Sequence, residues 1–181
     1  MKKLFLPFLL ILSLLLGGCA SKNEARFRAF SEELQGRQDL TMTARVRTEY
    51  DETTASFTLR YTEDGSGGCA VEVLEPELIR GVKARMSADG TKLVYDSVAV
   101  DTGDDGGTGL SPMGALPLLA RSLRSGALDS VWKEDGNCAV RLVPEDAVGV
   151  TVHFDGAMQP VSAEIDAEGK TVLFVDLTEF S

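Results

Sequence analysis

Histidine and tryptophan each occur once in the 181 residues, and cysteine three times. The lone His153 sits between Val152 and Phe154 and faces away from both if the segment is a strand, so it reads as a surface side chain. With no second histidine, a His-based triad cannot be completed by pairing, and Gly109-Leu110-Ser111-Pro112-Met113 fails the nucleophile-elbow pattern at its last position. No C-x-x-C is present, which excludes the usual disulfide-exchange chemistry. Gly65-Ser66-Gly67-Gly68 is not followed by Lys-Ser or Lys-Thr, so it reads as a hairpin turn and not as a phosphate loop. Basic residues are also scarce, 18 against 28 acidic ones, for a net charge of -10 and a pI of 4.6. A basic face able to neutralise nucleic-acid phosphates is therefore not expected. Asp101, Asp104 and Asp105 fall in a glycine-rich stretch, but Pro112 stands where a calcium loop of the EF-hand type needs its bidentate glutamate. The stretch reads as a solvated acidic loop. The expectation is a protein without catalytic residues, cofactor or metal.

Long apolar runs are missing as well. The longest, Leu4–Leu16, is shorter than the roughly 20 residues a spanning helix needs. Lys2 and Lys3 precede it and small residues follow it, the order of an export signal. Leu16-Gly17-Gly18-Cys19 resembles the lipobox of bacterial lipoproteins. That resemblance implies cleavage before Cys19, a diacylated Cys19 as the mature N-terminus, and anchoring at a cell membrane or outer membrane through two acyl chains. The expected organisation is a leader over 1–18, a tether over 19–23 and one domain over 24–181.

What is abundant is alternation. Phe27, Phe30 and Leu34 first mark a helix that Gly36 ends. The period then drops to two: Ala44, Val46, Thr48 and Tyr50 alternate with Thr43, Arg45, Arg47 and Glu49, and Ala55, Phe57, Leu59 and Tyr61 with Ser56, Thr58 and Arg60. Arg45, Arg47 and Arg60 point outward by this parity. Further strands are expected at Cys69–Leu74, Val82–Ser87, Thr91–Tyr95, Ser97–Asp101, Leu128–Lys133, Cys138–Val143, Val148–Phe154, Val161–Asp166 and Thr171–Thr178, divided by Asp-Gly and Glu-Gly turns. One helix interrupts them. Ser111-Pro112 is its N-cap and first turn, Leu116, Leu119, Ala120 and Leu123 form its apolar stripe, and Pro117 is expected to break or kink it. About eleven strands with one apolar face each make a mainly β (α+β) fold with an enclosed interior.

Ser87-Ala88-Asp89-Gly90-Thr91-Lys92-Leu93-Val94-Tyr95-Asp96, and Pro160 through Ile165 followed by Asp166-Ala167-Glu168-Gly169-Lys170, are similar to segments of the LolA/LolB-like lipoprotein carrier superfamily. The resemblance runs from Phe27 to the C-terminus. It implies an incomplete antiparallel β-barrel with an N-terminal helix and a central lid helix over an apolar cavity. By parity the cavity residues are Val46, Phe57, Leu59, Val71, Val82, Met86, Leu93 and Val150, with Leu116, Leu119 and Leu123 on the lid; each also reads as plain core. The implied activity is binding of an acyl chain or lipid-like ligand, including the acyl chain of another lipoprotein, with a role in lipoprotein sorting. The competing reading is a protein-interaction or regulatory module of the cell envelope, of the stress-sensing or spore-germination type, with an envelope protein or a second copy as partner. Cys69 and Cys138 each open a strand with their side chains inward and near one rim, so two alternatives stand: a disulfide or two packed thiols.

Overall fold

The computed structural model describes residues 22–50, 53–63, 65–96, 98–103, 110–134 and 136–181. The leader, Cys19 and residues 104–109 with Asp104 and Asp105 lie outside them. The alternating segments form eleven strands: β1 (Thr41–Tyr50), β2 (Thr53–Glu63), β3 (Cys69–Glu75), β4 (Lys83–Ser87), β5 (Gly90–Tyr95), β6 (Val98–Gly103), β7 (Ala127–Glu134), β8 (Asn137–Glu145), β9 (Val148–Phe154), β10 (Pro160–Ala167) and β11 (Lys170–Phe180). The helices are α1 (Lys22–Gln35) and α2 (Pro112–Ser125), and a short 3-10 turn spans Glu77–Ile79. Helix α1 begins inside the segment expected to be tether.

All eleven strands belong to one antiparallel sheet in the order β6-β5-β4-β3-β2-β1-β11-β10-β9-β8-β7. Two meanders are thus joined where the last strand pairs with the first. Thr41 and Ser181 exchange backbone hydrogen bonds of 2.8 and 3.0 Å at that seam. The sheet does not close: β6 and β7 are its edges, and α2 is the connection between them. The mainly β architecture with two helices is as expected, in the form of one open sheet.

Register puts the apolar residues on one face, because directly opposed residues in antiparallel strands share a side. Val46 is opposite both Phe57 and Val175, Tyr61 is opposite Val71, Val71 is opposite Ala84, and Val150 lies between Ile165 and Leu142. On the outer face Arg45 and Arg60 are exposed, and the Arg47 guanidinium lies 4.7 Å from the centroid of the Phe174 ring. Arg141 on β8 reaches over β9 to make a two-pronged ion pair with Asp166 on β10, at 2.8 and 2.9 Å. Gly149 makes that reach feasible: a Cβ there would stand 2.3 Å from Arg141 Nη2 and 2.5 Å from Asp166 Oδ2.

Turn chemistry follows the sequence with one variation. Gly90, Gly136 and Gly169 have positive φ, as their Asp-Gly and Glu-Gly turns require. At Asp155-Gly156 the left-handed residue is instead Met158, and the Asp155 carboxylate organises the turn by accepting from the N–H groups of Ala157 and Gln159 at 2.8 and 2.9 Å.

Pro117 does not break α2, contrary to expectation. The helix runs unbroken through it from a Ser111 cap, whose hydroxyl accepts from Gly114 N–H at 3.2 Å. Proline this near the N-terminus forfeits only the bond to Met113 O. The flanking Leu116, Leu118 and Leu119 are all at or below 2% exposure, and their burial outweighs that loss.

Candidate functional site

Helix α2 lies on the inner face of the sheet against β1, β2, β3, β8 and β11. Leu116, Leu119 and Leu123 are fully buried there, in one cluster with Val46, Leu59, Val71 and Val150. Phe57, Val82 and Met86 pack against this cluster with partial exposure. Helix α1 packs beside α2 on this face: the Phe30 ring meets Phe154 edge-on at 5.3 Å and Phe180 at 6.0 Å. Arg26 ties this helix to the sheet through a bond to Gly156 O.

Leu93 is the residue that departs from the expected set. Its register partners are Ala84 and Val100, so it is on the inner face as parity requires. It is nevertheless 38% exposed, because it lies past the part of the sheet that α2 covers. Its neighbours share this fate: Tyr95 is 53%, Val98 63% and Val100 56% exposed. Tyr95 opposes Val98 and Leu93 opposes Val100, so the four form one contiguous apolar patch on the inner side of β5 and β6. Through Ala84, which opposes both Leu93 and Val71, the patch runs into the core.

Cys138 is buried and Cys69 half-buried, and burial pushes the Cys138 thiol up against a weaker opposing pull from Arg26. His153 is on the outer side, its Nδ1 3.6 Å from a Glu134 carboxylate oxygen. Among the described residues no three His, Cys, Asp or Glu side chains gather as metal ligands would.

A polar hub joins the two helices to the sheet, and the sequence analysis did not single it out. Arg124, in the last turn of α2, pairs with both oxygens of Glu63 on β2, the Nη2–Oε2 contact being 2.7 Å. Its Nε also donates to Leu34 O at the end of α1, at 3.1 Å. Tyr61 donates to Glu63 Oε1 at 2.6 Å and the Leu40 N–H to Oε2 at 3.2 Å. In return Ser31 and Gln35 of α1 donate to Arg124 O. Burial pushes the Glu63 carboxyl up, but the bonds from Arg124, Tyr61 and Leu40 outweigh it and hold the group below its ordinary value. Burial and the bond to Glu63 keep the Tyr61 phenol protonated far above neutral pH. A visible signal existed: Glu63 continues the inward series Phe57, Leu59, Tyr61, and an inward carboxylate requires a cation. The hub forms one wall of a cleft of about 370 Å³ that Gln38, Gly67 and Cys69 complete.

No protein-family profile matches the sequence, and no curated protein does. Solved structures match in shape. A LolA superfamily protein from Nitrosomonas europaea is similar with a TM-score of 0.51 at 12% identity, over 87% of this chain and 92% of its own. An outer membrane lipoprotein-sorting protein domain from Vibrio parahaemolyticus has a TM-score of 0.49 at 11% identity, over 86% and 90%. A chain from the complex of the CwlD amidase with the GerS lipoprotein, from Clostridioides difficile, has 0.49 at 15%, over 92% and 99%. At such identities the likeness is one of fold. With its open eleven-stranded antiparallel sheet and its N-terminal and central helices, this chain has the LolA-like fold.

Proposed function

We propose that the protein is an extracytoplasmic lipoprotein, anchored through Cys19, that holds an acyl chain or similar lipid on the inner face of its sheet, with a part in lipoprotein sorting. The observation that carries this reading is the open patch of Leu93, Tyr95, Val98 and Val100 beside a filled core. Four large apolar side chains exposed together on the inner face are costly in water and mark a binding surface. An acyl chain fits their chemistry because the patch offers apolar area, and each buried methylene contributes about 0.8 kcal/mol without a directional contact. Occupancy here leaves Leu116, Leu119 and Leu123 in place as the roof of the core.

Titration of the Cys19→Ala chain with a fluorescent fatty acid tests the reading. Saturable binding is expected, weakened at least tenfold in Val98→Asp/Val100→Asp. That variant should keep the circular dichroism spectrum and melting temperature, because both sites are exposed on an edge strand. Absence of saturable binding by the unmodified patch, or unchanged affinity in the double variant, overturns it.

Anchoring is checked separately. In cells fed a labelled fatty acid, the wild-type chain should carry label and sediment with membranes, and Cys19→Ala should do neither. Label retained in Cys19→Ala rules out acylation at that residue.

A further inference from the structure

On the outer side of the same sheet, β4 and β5 bring three cations together in a chain that is otherwise acidic. Lys83 and Arg85 project from β4 and Lys92 from β5. With the β2–β3 turn at Ser66 and Gly67, and Ser87 at the end of β4, they bound a cleft of about 730 Å³. Lys83 is matched by Glu72 across the β3–β4 pair at 3.2 Å. Arg85 and Lys92 are not matched in this way: they are direct register partners, both exposed, and among the described residues neither forms an ion pair. Like charges set directly opposite one another in a sheet are destabilising. Asp89 lines the turn end of the cleft, and Asp101 on β6 is the register partner of Lys92 on its other side, outside the cleft lining, so Lys92 lies between Arg85 and Asp101 and the cleft side of the pair is cationic.

We propose that this cleft is a binding site for a phosphate group. The Arg85 guanidinium offers a planar two-pronged donor set, Lys92 a second positive charge beside it, and the two strands fix both on one surface. The Ser87 hydroxyl now accepts from the Asp89 N–H at 3.3 Å, which leaves its own hydrogen to donate to a phosphate oxygen. A bound phosphate offsets the like-charge contact between Arg85 and Lys92, which the single carboxylate opposite Lys92 does not do for Arg85. The phosphate belongs either to a lipid headgroup or to a free anion. The site is on the opposite face from the apolar patch and stands independently of the acyl-chain reading.

Two arms of one experiment separate the sources. Calorimetric titration of the Cys19→Ala chain with inorganic phosphate reads the free anion, and flotation with phosphatidylglycerol vesicles against phosphatidylcholine vesicles reads the headgroup. Saturable phosphate binding, or a preference for phosphatidylglycerol, is expected in at least one arm, reduced tenfold or more in Arg85→Gln/Lys92→Gln. The control is Arg45→Gln/Arg60→Gln, which removes two exposed cations from the same outer face. An equal loss in that control means diffuse electrostatics and overturns the site. So does binding in neither arm, or binding that Arg85→Gln/Lys92→Gln leaves unchanged.

Discussion

Arg124→Leu is expected to lower the free energy of unfolding by about 3 kcal/mol, which in a domain of this size shifts the melting temperature down by roughly 6–12 °C. The effect is large because the substitution breaks more than an ion pair. Glu63 has 12% of its side chain exposed and Arg124 21%, so loss of the guanidinium strands a nearly buried carboxylate. The carbonyl of Leu34 loses its donor in the same step, and α1 loses part of its attachment to α2. The pH dependence has a definite sign. The folded-state pKa of Glu63 is below its unfolded value, so the contribution is complete above the ordinary glutamate pKa of about 4.3 and is lost as pH falls through the folded value. The gap in melting temperature between wild type and Arg124→Leu should therefore narrow below about pH 4. Glu63→Gln/Arg124→Leu should recover part of the loss at neutral pH, because no unpaired charge remains. Equal stability of Arg124→Leu and wild type in thermal melts at pH 7 contradicts the hub.

How much of this was legible beforehand differs from element to element, for physical reasons. Strand positions and faces were readable because a period of two is set by the pleat: Val46, Leu59 and Val71 had to share a side wherever their strands lay. The pairing of β11 with β1 was not readable, since it joins segments more than a hundred residues apart and no local pattern encodes which strand meets which. Parity also fixes a face without telling how far the covering helix extends. Leu93 was accordingly placed on the correct side but expected in the interior, when α2 stops short of it. Pro117 failed in the other direction, because a rule about a lost hydrogen bond does not include the leucines packed on either side. The hub was missed because Glu63 and Arg124 are 61 residues apart: parity turns the Glu63 carboxylate inward, but no local pattern says which cation meets it until the helix is docked. The acidic balance of the whole chain likewise hid the local pairing of Arg85 with Lys92.

Leu119→Asp should unfold most of the protein, and that outcome separates the closed core from the open patch. Leu119 has no exposed surface and belongs to the hydrophobic core cluster, so an aspartate there must remain charged in an apolar site or take up a proton. Either course costs more than about 4 kcal/mol, comparable to the whole stability of an ordinary domain. Leu119→Ala should cost about 2–5 kcal/mol through lost burial and the void it leaves. Val100→Ala, on the same face of the sheet but 56% exposed, should stay within about 0.5 kcal/mol of wild type. Urea unfolding of the three variants at pH 7 measures all of this in one series. A Leu119→Asp chain that melts within a few degrees of wild type would mean that α2 lifts from the sheet at little cost, which would move the ligand site from the β5–β6 patch to the space beneath the helix. With the steep gradient from Leu119 to Val100, α2 is a fixed roof. On the proposed reading a lipid would enter where the roof ends, on side chains that are already exposed to water.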